Sequence, residues 1–173
     1  PGWQLPGVMA AGAADILYKS AGIIPRGPVV LAGNGPPLPL AASHLLEPKA
    51  DIAAVVDMAP KTNMLRAAPY APPALPGTLL LLEGLGMLRA IRKSGVRTYS
   101  DVASLSAHGA GALEEIRFKH KGQPVAVRAA TLLFHGGVIP RTHMGQILRL
   151  KHTWNPRQIW WQAESDLFGR SSR

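Results

Sequence analysis

The order of apolar and polar positions predicts alternating strands and helices in the first part of the chain. Residues 28–32 and 51–56 are apolar runs with the length of buried strands, and the largely apolar residues 38–47 have the length of a helix. The first run stops at Gly33, Asn34 and Gly35, where glycine favours a turn. A strand, a glycine turn, a helix and a second strand in this order are typical of units that bind a dinucleotide pyrophosphate.

Later segments change from a helical to an alternating pattern. Helices are predicted over residues 12–21, with Gly22 as the C-cap, and over residues 79–93. The later strand candidates are residues 96–99, 102–106, 112–119, 125–129 and 131–134. Short glycine-containing turns separate the middle three candidates, which predicts an antiparallel meander. We therefore expect an α/β fold, a Rossmann-like parallel sheet with a three-stranded antiparallel crossover.

The glycine turn and the end of the second strand hold the candidate cofactor-binding residues Gly33, Asn34, Gly35, Pro36 and Asp57. Gly33 makes the tight turn, Gly35 lets the backbone approach the phosphates, and free amides at the helix start favour an anion. Asp57 lies 22 residues after Gly35, where its carboxylate can accept both hydroxyls of the adenosine ribose. Because this carboxylate would repel a 2′-phosphate, NAD is the expected cofactor rather than NADP.

The match to the dinucleotide fingerprint is incomplete. Leu38 stands where the pattern has its third glycine, and Pro39 removes an amide donor from the start of the helix. Pro36 and Pro37 are compatible with a first helical turn. A glycine turn of this kind also occurs in ordinary α/β cores, so the residues alone leave both interpretations open.

Composition and charge narrow the classes of function. The chain has no cysteine, which excludes disulfides, thiolate metal ligands and a redox cysteine pair within it, and its six histidines show no metal-ligand spacing. The net charge of +9 comes from an excess of basic over acidic residues in residues 89–173, where basic and apolar positions alternate. That alternation is typical of a solvated face, so we expect no nucleic-acid partner.

No apolar stretch reaches the roughly 18 residues that a membrane span needs, so we expect no such span. The chain begins at Pro1 with no basic segment leading into an apolar one, as a secretory signal would have. We therefore expect a cytoplasmic fragment of a longer protein.

Taken together, these elements resemble the nucleotide domain of the two-dinucleotide-binding flavoproteins, the class that includes glutathione and thioredoxin reductases. Within that class the chain is similar to the branch of flavin-bearing subunits of opine oxidases, dye-linked proline dehydrogenase and hydrogen cyanide synthase. The segments that carry this similarity are residues 1–3, 5–8, 11–14, 29–36, 135–140, 154–155 and 166–170.

The resemblance implies a division of the chain and a set of cofactors. Residues 1–22 would connect from an FAD domain, residues 23–134 would form the NAD(P)-binding domain, and residues 135–173 would return, incompletely, into the FAD domain. The crossing toward the flavin would map onto Gly136, Gly137 and Pro140. FAD would bind in the complete protein through segments outside this chain.

The implied function is the NAD(P)-binding portion of an FAD-dependent oxidoreductase acting on a small amine or amino acid, such as an opine, proline or a glycine-like substrate. A partner subunit or a second copy is expected with it. The alternative is a non-catalytic or regulatory nucleotide-binding module with a vestigial dinucleotide site. No residue is assigned a catalytic role; backbone hydrogen bonding is favoured for His135, and packing at a domain junction for Trp154, Trp160 and Trp161.

Overall fold

The computed structural model describes residues 1–60, 62–67, 69 and 77–171, without the side chains of Met64 and Leu65. The chain divides into two compact units, Pro1–Gly136 and Gly137–Arg173. In chain order its elements are β1 (Val8–Ala10), α1 (Ala11–Ala21), β2 (Val29–Gly33), α2 (Pro37–Leu46), β3 (Ile52–Asp57), α3 (Thr62–Ala67), α4 (Thr78–Lys93), β4 (Arg97–Ser100), β5 (Val102–His108), β6 (Glu115–His120), β7 (Gln123–Arg128), β8 (Thr131–His135), α5 (His143–Ile147), β9 (His152–Asn155) and β10 (Trp160–Ala163).

Five parallel strands form the central sheet of the first unit, in the order β1-β8-β2-β3-β4. The middle strand, β2, is buried along its whole length. Because both faces of this strand are covered, its sequence is a continuous apolar run rather than an alternating one. The predicted Rossmann-like parallel sheet is confirmed, with β2 ending one residue later than expected because Gly33 still pairs with both neighbouring strands.

Two hydrophobic layers pack on opposite faces of this sheet, since successive strand residues point to opposite sides. Leu31 and Leu133 belong to the layer formed with α1 and α2. Val30 and Leu132 belong to the layer formed with the later antiparallel strands, where Ile116 is fully buried. The central sheet is therefore held between helices on one face and a second sheet on the other.

The second sheet is the predicted three-stranded antiparallel meander, in the order β5-β6-β7. A register shift between Ala103 and Ser106 interrupts the pairing of β5, and Ser104 within it has a left-handed φ of 58°. Tyr99 of β4 packs edge-on against Phe118 of β6, with ring centroids 5.0 Å apart. This contact helps to join the meander to the central sheet.

The first residues of the chain add to the same unit. β1 pairs in parallel with β8, and α1 packs Ala11 and Ala14 into the helical layer. The predicted C-cap of α1 is confirmed: Gly22 has a φ of 65° and its N–H donates to the carbonyl of Tyr18 over 2.8 Å. β1 escaped prediction because a strand of three residues is too short to show a hydrophobic period.

The second unit contains α5 and a two-stranded antiparallel hairpin, β9-β10. Trp154 and Trp161 lie opposite each other on the hairpin, with ring centroids 5.6 Å apart, and about half of each side chain is exposed. Among the described residues of this unit, no hydrophobic side chain is buried. None of the helices described in either unit is long and apolar enough to cross a membrane.

Candidate functional site

The glycine turn lies at the carboxyl end of β2, beside the ends of two neighbouring strands. Gly33 is paired with Asp57 of β3 on one side and with His135 of β8 on the other. The backbone N–H of Asn34 donates to the carbonyl of His135 over 2.9 Å, and that of Met58 donates to the carbonyl of Gly33 over 2.9 Å. The strand order reverses here, since β3 and β4 follow on one side of β2 and β8 lies on the other, and open α/β sheets bind ligands at such a point.

Gly33 is a glycine because β2 and β8 approach closely at this point. Its φ is 150°, and a Cβ built on it would lie 1.9 Å from the carbonyl oxygen of His135. No side chain fits there without separating the strands. The residue therefore has a packing role within the sheet that does not depend on a bound ligand.

Gly35 is a glycine for a different reason. Its φ is 81°, in the left-handed region that favours glycine, and a Cβ there would meet only the Cδ of Pro37, at 3.7 Å. The residue is exposed, and the space in front of it is open. This geometry fits the predicted approach of a ligand to the backbone at Gly35.

The start of α2 lacks the free amides that were expected there from the sequence. An anion at a helix start is held by N–H groups from the N-cap through the third helical residue, here positions 36–39. Pro36, Pro37 and Pro39 have no N–H, and the N–H of Leu38 donates to the carbonyl of Gly35 over 3.2 Å. Within the described part of the chain, residues 34–39 retain one N–H without a hydrogen bond, that of Gly35.

Leu38, at the position of the missing third glycine, is 2% exposed and packs in the helical layer of the core. A glycine at this position in the fingerprint lets the helix pack closely on the strand. In this chain a leucine side chain fills that space between helix and sheet. The departure is therefore accommodated by core packing.

Asp57 is placed as predicted, at the end of β3 and next to the glycine turn in the sheet. One carboxylate oxygen, Oδ1, accepts a hydrogen bond from the N–H of Ala59 over 2.8 Å. The other oxygen has no hydrogen-bond partner among the described residues. A half-buried carboxylate with one free oxygen fits a ribose hydroxyl at this position.

Two polar side-chain atoms beside the turn are buried without a hydrogen bond in the described structure, Oδ1 of Asn34 and Nε2 of His135. An unpaired buried polar atom costs about 1–3 kcal/mol. The backbone carbonyl of His135 is bonded to Asn34, but this ring nitrogen is not bonded, so the side chain departs from the backbone-bonding role predicted for it. Because both atoms are buried, they are unpaired groups of the packed turn rather than contacts open to a ligand.

Gly136 and Gly137 directly follow β8, and both are exposed. A Cβ on Gly136 would lie 3.1 Å from Cε1 of Phe134, whereas Gly137 has a φ of 124° and open space around it. The positive φ and the open space at Gly137 are compatible with a close approach of another group. The role toward a flavin that the resemblance implies stays a prediction.

An apolar cavity of about 500 Å³ in the first unit was not predicted from the sequence. Its walls come from β1, β5, β8, the residue after β3 and the residues near the start of the chain; they include Trp3, Met9, Met58, Leu105 and Phe134. Volumes of this size and mostly apolar walls are typical of small-molecule sites. No local signal could have revealed the cavity, because it is built by strands that are far apart in sequence.

A hydrogen bond between side chains joins the two helices that pack on the sheet. Asp15 of α1 contacts Nδ1 of His44 on α2 at 2.6 Å and Nζ of Lys19 at 2.8 Å. Burial alone would raise the pKa of Asp15, but its hydrogen bonds to Lys19 and His44 and their charges lower this pKa below the usual value of 3.8. No cluster of potential metal ligands occurs among the described residues.

The pyridine nucleotide implied by the fold therefore fits only part of this site. Asp57 and the open backbone at Gly35 suit a ribose and an approaching ligand. The first turn of α2 does not suit a pyrophosphate, because its amides are absent or already bonded. The fold brings together the predicted residues Gly33, Asn34, Gly35, Pro36 and Asp57. Only some of them offer groups that could bind a nucleotide.

The fold defines the class of protein to which the chain is similar. A thioredoxin reductase from T. acidophilum superposes with a TM-score of 0.52 at 16% identity, over 83% of this chain and 46% of that one. A bacillithiol disulfide reductase from Staphylococcus aureus superposes with a TM-score of 0.50 at 12% identity, over 75% of this chain and 34% of that one. At such identities the likeness establishes the fold, which is that of thioredoxin-reductase-like oxidoreductases.

Relatives found by sequence similarity are more informative than the structural neighbours, because their identities to this chain are higher. An opine oxidase subunit of Rhizobium meliloti is 36% identical over 173 residues, which are 100% of this chain and 32% of the relative. The hydrogen cyanide synthase subunit HcnB of Pseudomonas aeruginosa is 32% identical over 181 residues, which are 100% of this chain and 38% of the relative. No protein-family model matches the chain.

These relatives confirm the resemblance predicted from the sequence. The chain is a homologue of the opine oxidase and hydrogen cyanide synthase subunits, and its relatives and structural neighbours alike are oxidoreductases. It spans about a third of the length of the relatives that it matches.

Proposed function

We propose that the chain is the nucleotide-domain part of an FAD-dependent oxidoreductase that acts on a small amine or amino acid, such as an opine, proline or a glycine-like substrate. The observation that carries this proposal is the alignment of the whole chain with the opine oxidase subunit of Rhizobium meliloti. The Rossmann-like sheet with its antiparallel crossover supports the same class.

The division of the chain proposed with this function has residues 23–134 as the nucleotide domain and residues 1–22 as the connection into it. Residues 135–173 return toward an FAD domain. The boundary between the two compact units, at Gly136 and Gly137, supports a change of domain near the end of β8. The lack of a buried hydrophobic side chain among the described residues after Gly136 also supports it, since a unit without a core needs another surface to cover it.

FAD belongs to this proposal as a cofactor of the complete protein, with Gly136 and Gly137 at the crossing toward it. When bound, the flavin supplies the acceptor for a hydride equivalent from the substrate. This chain contributes the nucleotide domain and the segment that crosses toward the flavin. The relatives are named as subunits of their enzymes, which supports a partner chain for this protein too.

The nucleotide site is proposed in two alternative states. In the first, Asp57 binds the adenosine ribose of NAD, with NADP disfavoured by its charge. In the second, the chain is a non-catalytic or regulatory nucleotide-binding module whose dinucleotide site is vestigial. The proline-filled start of α2 is the observation that favours the second state.

Flavin content and substrate oxidation test the proposed function in the full-length protein, purified with any further chain that it requires. We expect the visible absorbance of a bound flavin, and reduction of an artificial dye in the presence of an opine, proline or glycine. The same protein with its flavin removed is the matched control and should not reduce the dye. A full-length protein without flavin, or one whose flavin is not bleached by any small amine, would contradict the proposal.

A further inference from the structure

The first turn of α2 has the shape of a phosphate-binding helix start without its donors. Its four leading positions are Pro36, Pro37, Leu38 and Pro39, so three of the four N–H groups do not exist. The remaining N–H, on Leu38, is bonded to the carbonyl of Gly35. A pyrophosphate at this turn would find the amide of Gly35 and little else from the backbone between residues 34 and 39.

The glycines do not by themselves indicate a working site. Gly33 is required by the close approach of β2 to the backbone of His135, whether or not a ligand binds. The N–H of Asn34, another donor of the turn, is used to pair with the same carbonyl of His135. The presence of Gly33 is therefore explained by the packing of the sheet and is not evidence of nucleotide binding.

We infer that the three prolines leave α2 without a pyrophosphate subsite, so that this domain does not bind NAD or NADP as a redox partner. The inference rests on the proposed function, because it concerns the nucleotide domain of that oxidoreductase. It assigns substrate oxidation in the complete protein to an electron acceptor other than a pyridine nucleotide. Asp57 and the open space at Gly35 are the parts of this turn that still suit a nucleotide.

Restoring the missing donors is the direct test. The substitutions Pro36→Ala, Pro37→Ala and Pro39→Ala together return three N–H groups to a segment that already has helical backbone angles at its N-cap. Alanine is well tolerated at these positions, so the helix start should keep its path. Pro124→Ala, at an exposed proline of β7, is the matched control because it also adds an N–H but not at the turn.

NAD binding is measured by calorimetry on the full-length protein, with its flavin content and circular dichroism recorded for each variant. We expect no saturable binding by the wild type or by Pro124→Ala up to about 1 mM NAD. The triple variant should bind at least about tenfold more tightly, since each amide bonded to a charged phosphate contributes about tenfold or more. Adding Gly35→Val to the triple variant should abolish the gain in NAD affinity. This loss would show that the added binding occurs at the glycine turn.

Two results would overturn the inference: micromolar binding of NAD or NADP by the wild type, or a folded triple variant that gains nothing. If the triple variant loses its flavin or its helical signal, Pro37→Ala alone is measured against the same criteria. The outcome is separate from that of the proposed function. Absence of flavin or of amine oxidation in the wild type contradicts the proposed function, whereas tight NAD binding in an active flavoprotein contradicts only this inference.

Discussion

Replacing Gly33 by alanine should destabilise the first unit far more than the same replacement at Gly35, two residues away. A Cβ at position 33 would lie 1.9 Å from the carbonyl oxygen of His135, whereas real Cβ contacts stay beyond 3.0 Å. The end of β2 would have to move from β8 by about 1 Å or more. At position 35 the nearest atom, Cδ of Pro37, is 3.7 Å away and nothing has to move.

The expected magnitudes follow from these two environments. At Gly33, a side chain at a φ of 150° costs about 1–3 kcal/mol of stability. Loss of the bond from Asn34 to the displaced carbonyl of His135 adds about 1 kcal/mol. Together these terms predict a decrease of about 2–4 kcal/mol in the free energy of unfolding. At Gly35 only the left-handed backbone is penalised, at about 1–2 kcal/mol.

Urea unfolding of the full-length protein, followed by circular dichroism, compares Gly33→Ala, Gly35→Ala and the wild type. With a urea dependence of about 1–3 kcal/mol per molar, the midpoint of Gly33→Ala should fall by roughly 0.7 M or more. The midpoint of Gly35→Ala should fall clearly less. Equal midpoints for the two variants would refute the argument that close strand approach, rather than turn geometry, demands glycine at position 33.

Two further predictions concern the layers on either face of the sheet. Asp15 has a lowered pKa, so its pairing with Lys19 and His44 stabilises the folded state above pH 3.8 and this contribution disappears as the pH falls through the lowered pKa. Asp15→Asn should therefore be less stable than the wild type near neutral pH and equal to it in strong acid. Denaturation midpoints of both proteins are measured at a series of pH values. If the two midpoints differ by the same amount at every pH, this prediction is wrong. Ile116→Ala, in the core under the meander, should lower the free energy of unfolding by about 2–5 kcal/mol, whereas Ile139→Ala, at a side chain 73% exposed, should change it by less than about 0.5 kcal/mol. If chemical denaturation shows similar losses of unfolding free energy for the two variants, Ile116 does not lie in the core.

The sequence alone was sufficient for most of the elements and for the class of fold. A continuous apolar run predicted β2, a helical pattern ending at glycine predicted α1, and alternating segments predicted the meander, as the structure confirms. These predictions succeed because strand length, glycine termination and hydrophobic period are local properties. The candidate residues around Gly33 and Asp57 were also recognisable, because their spacing along a βαβ unit reflects its geometry.

The tertiary structure decided what those residues can do. Gly33 and His135 are far apart in the sequence, and only the insertion of β8 between β1 and β2 brings the carbonyl of His135 against Gly33. The unpaired buried atoms of Asn34 and His135 and the apolar cavity likewise depend on segments that are distant in the sequence. Local patterns determine which segments become strands and helices, whereas the availability of a donor, an acceptor or an open space depends on chain segments that meet only in the folded state.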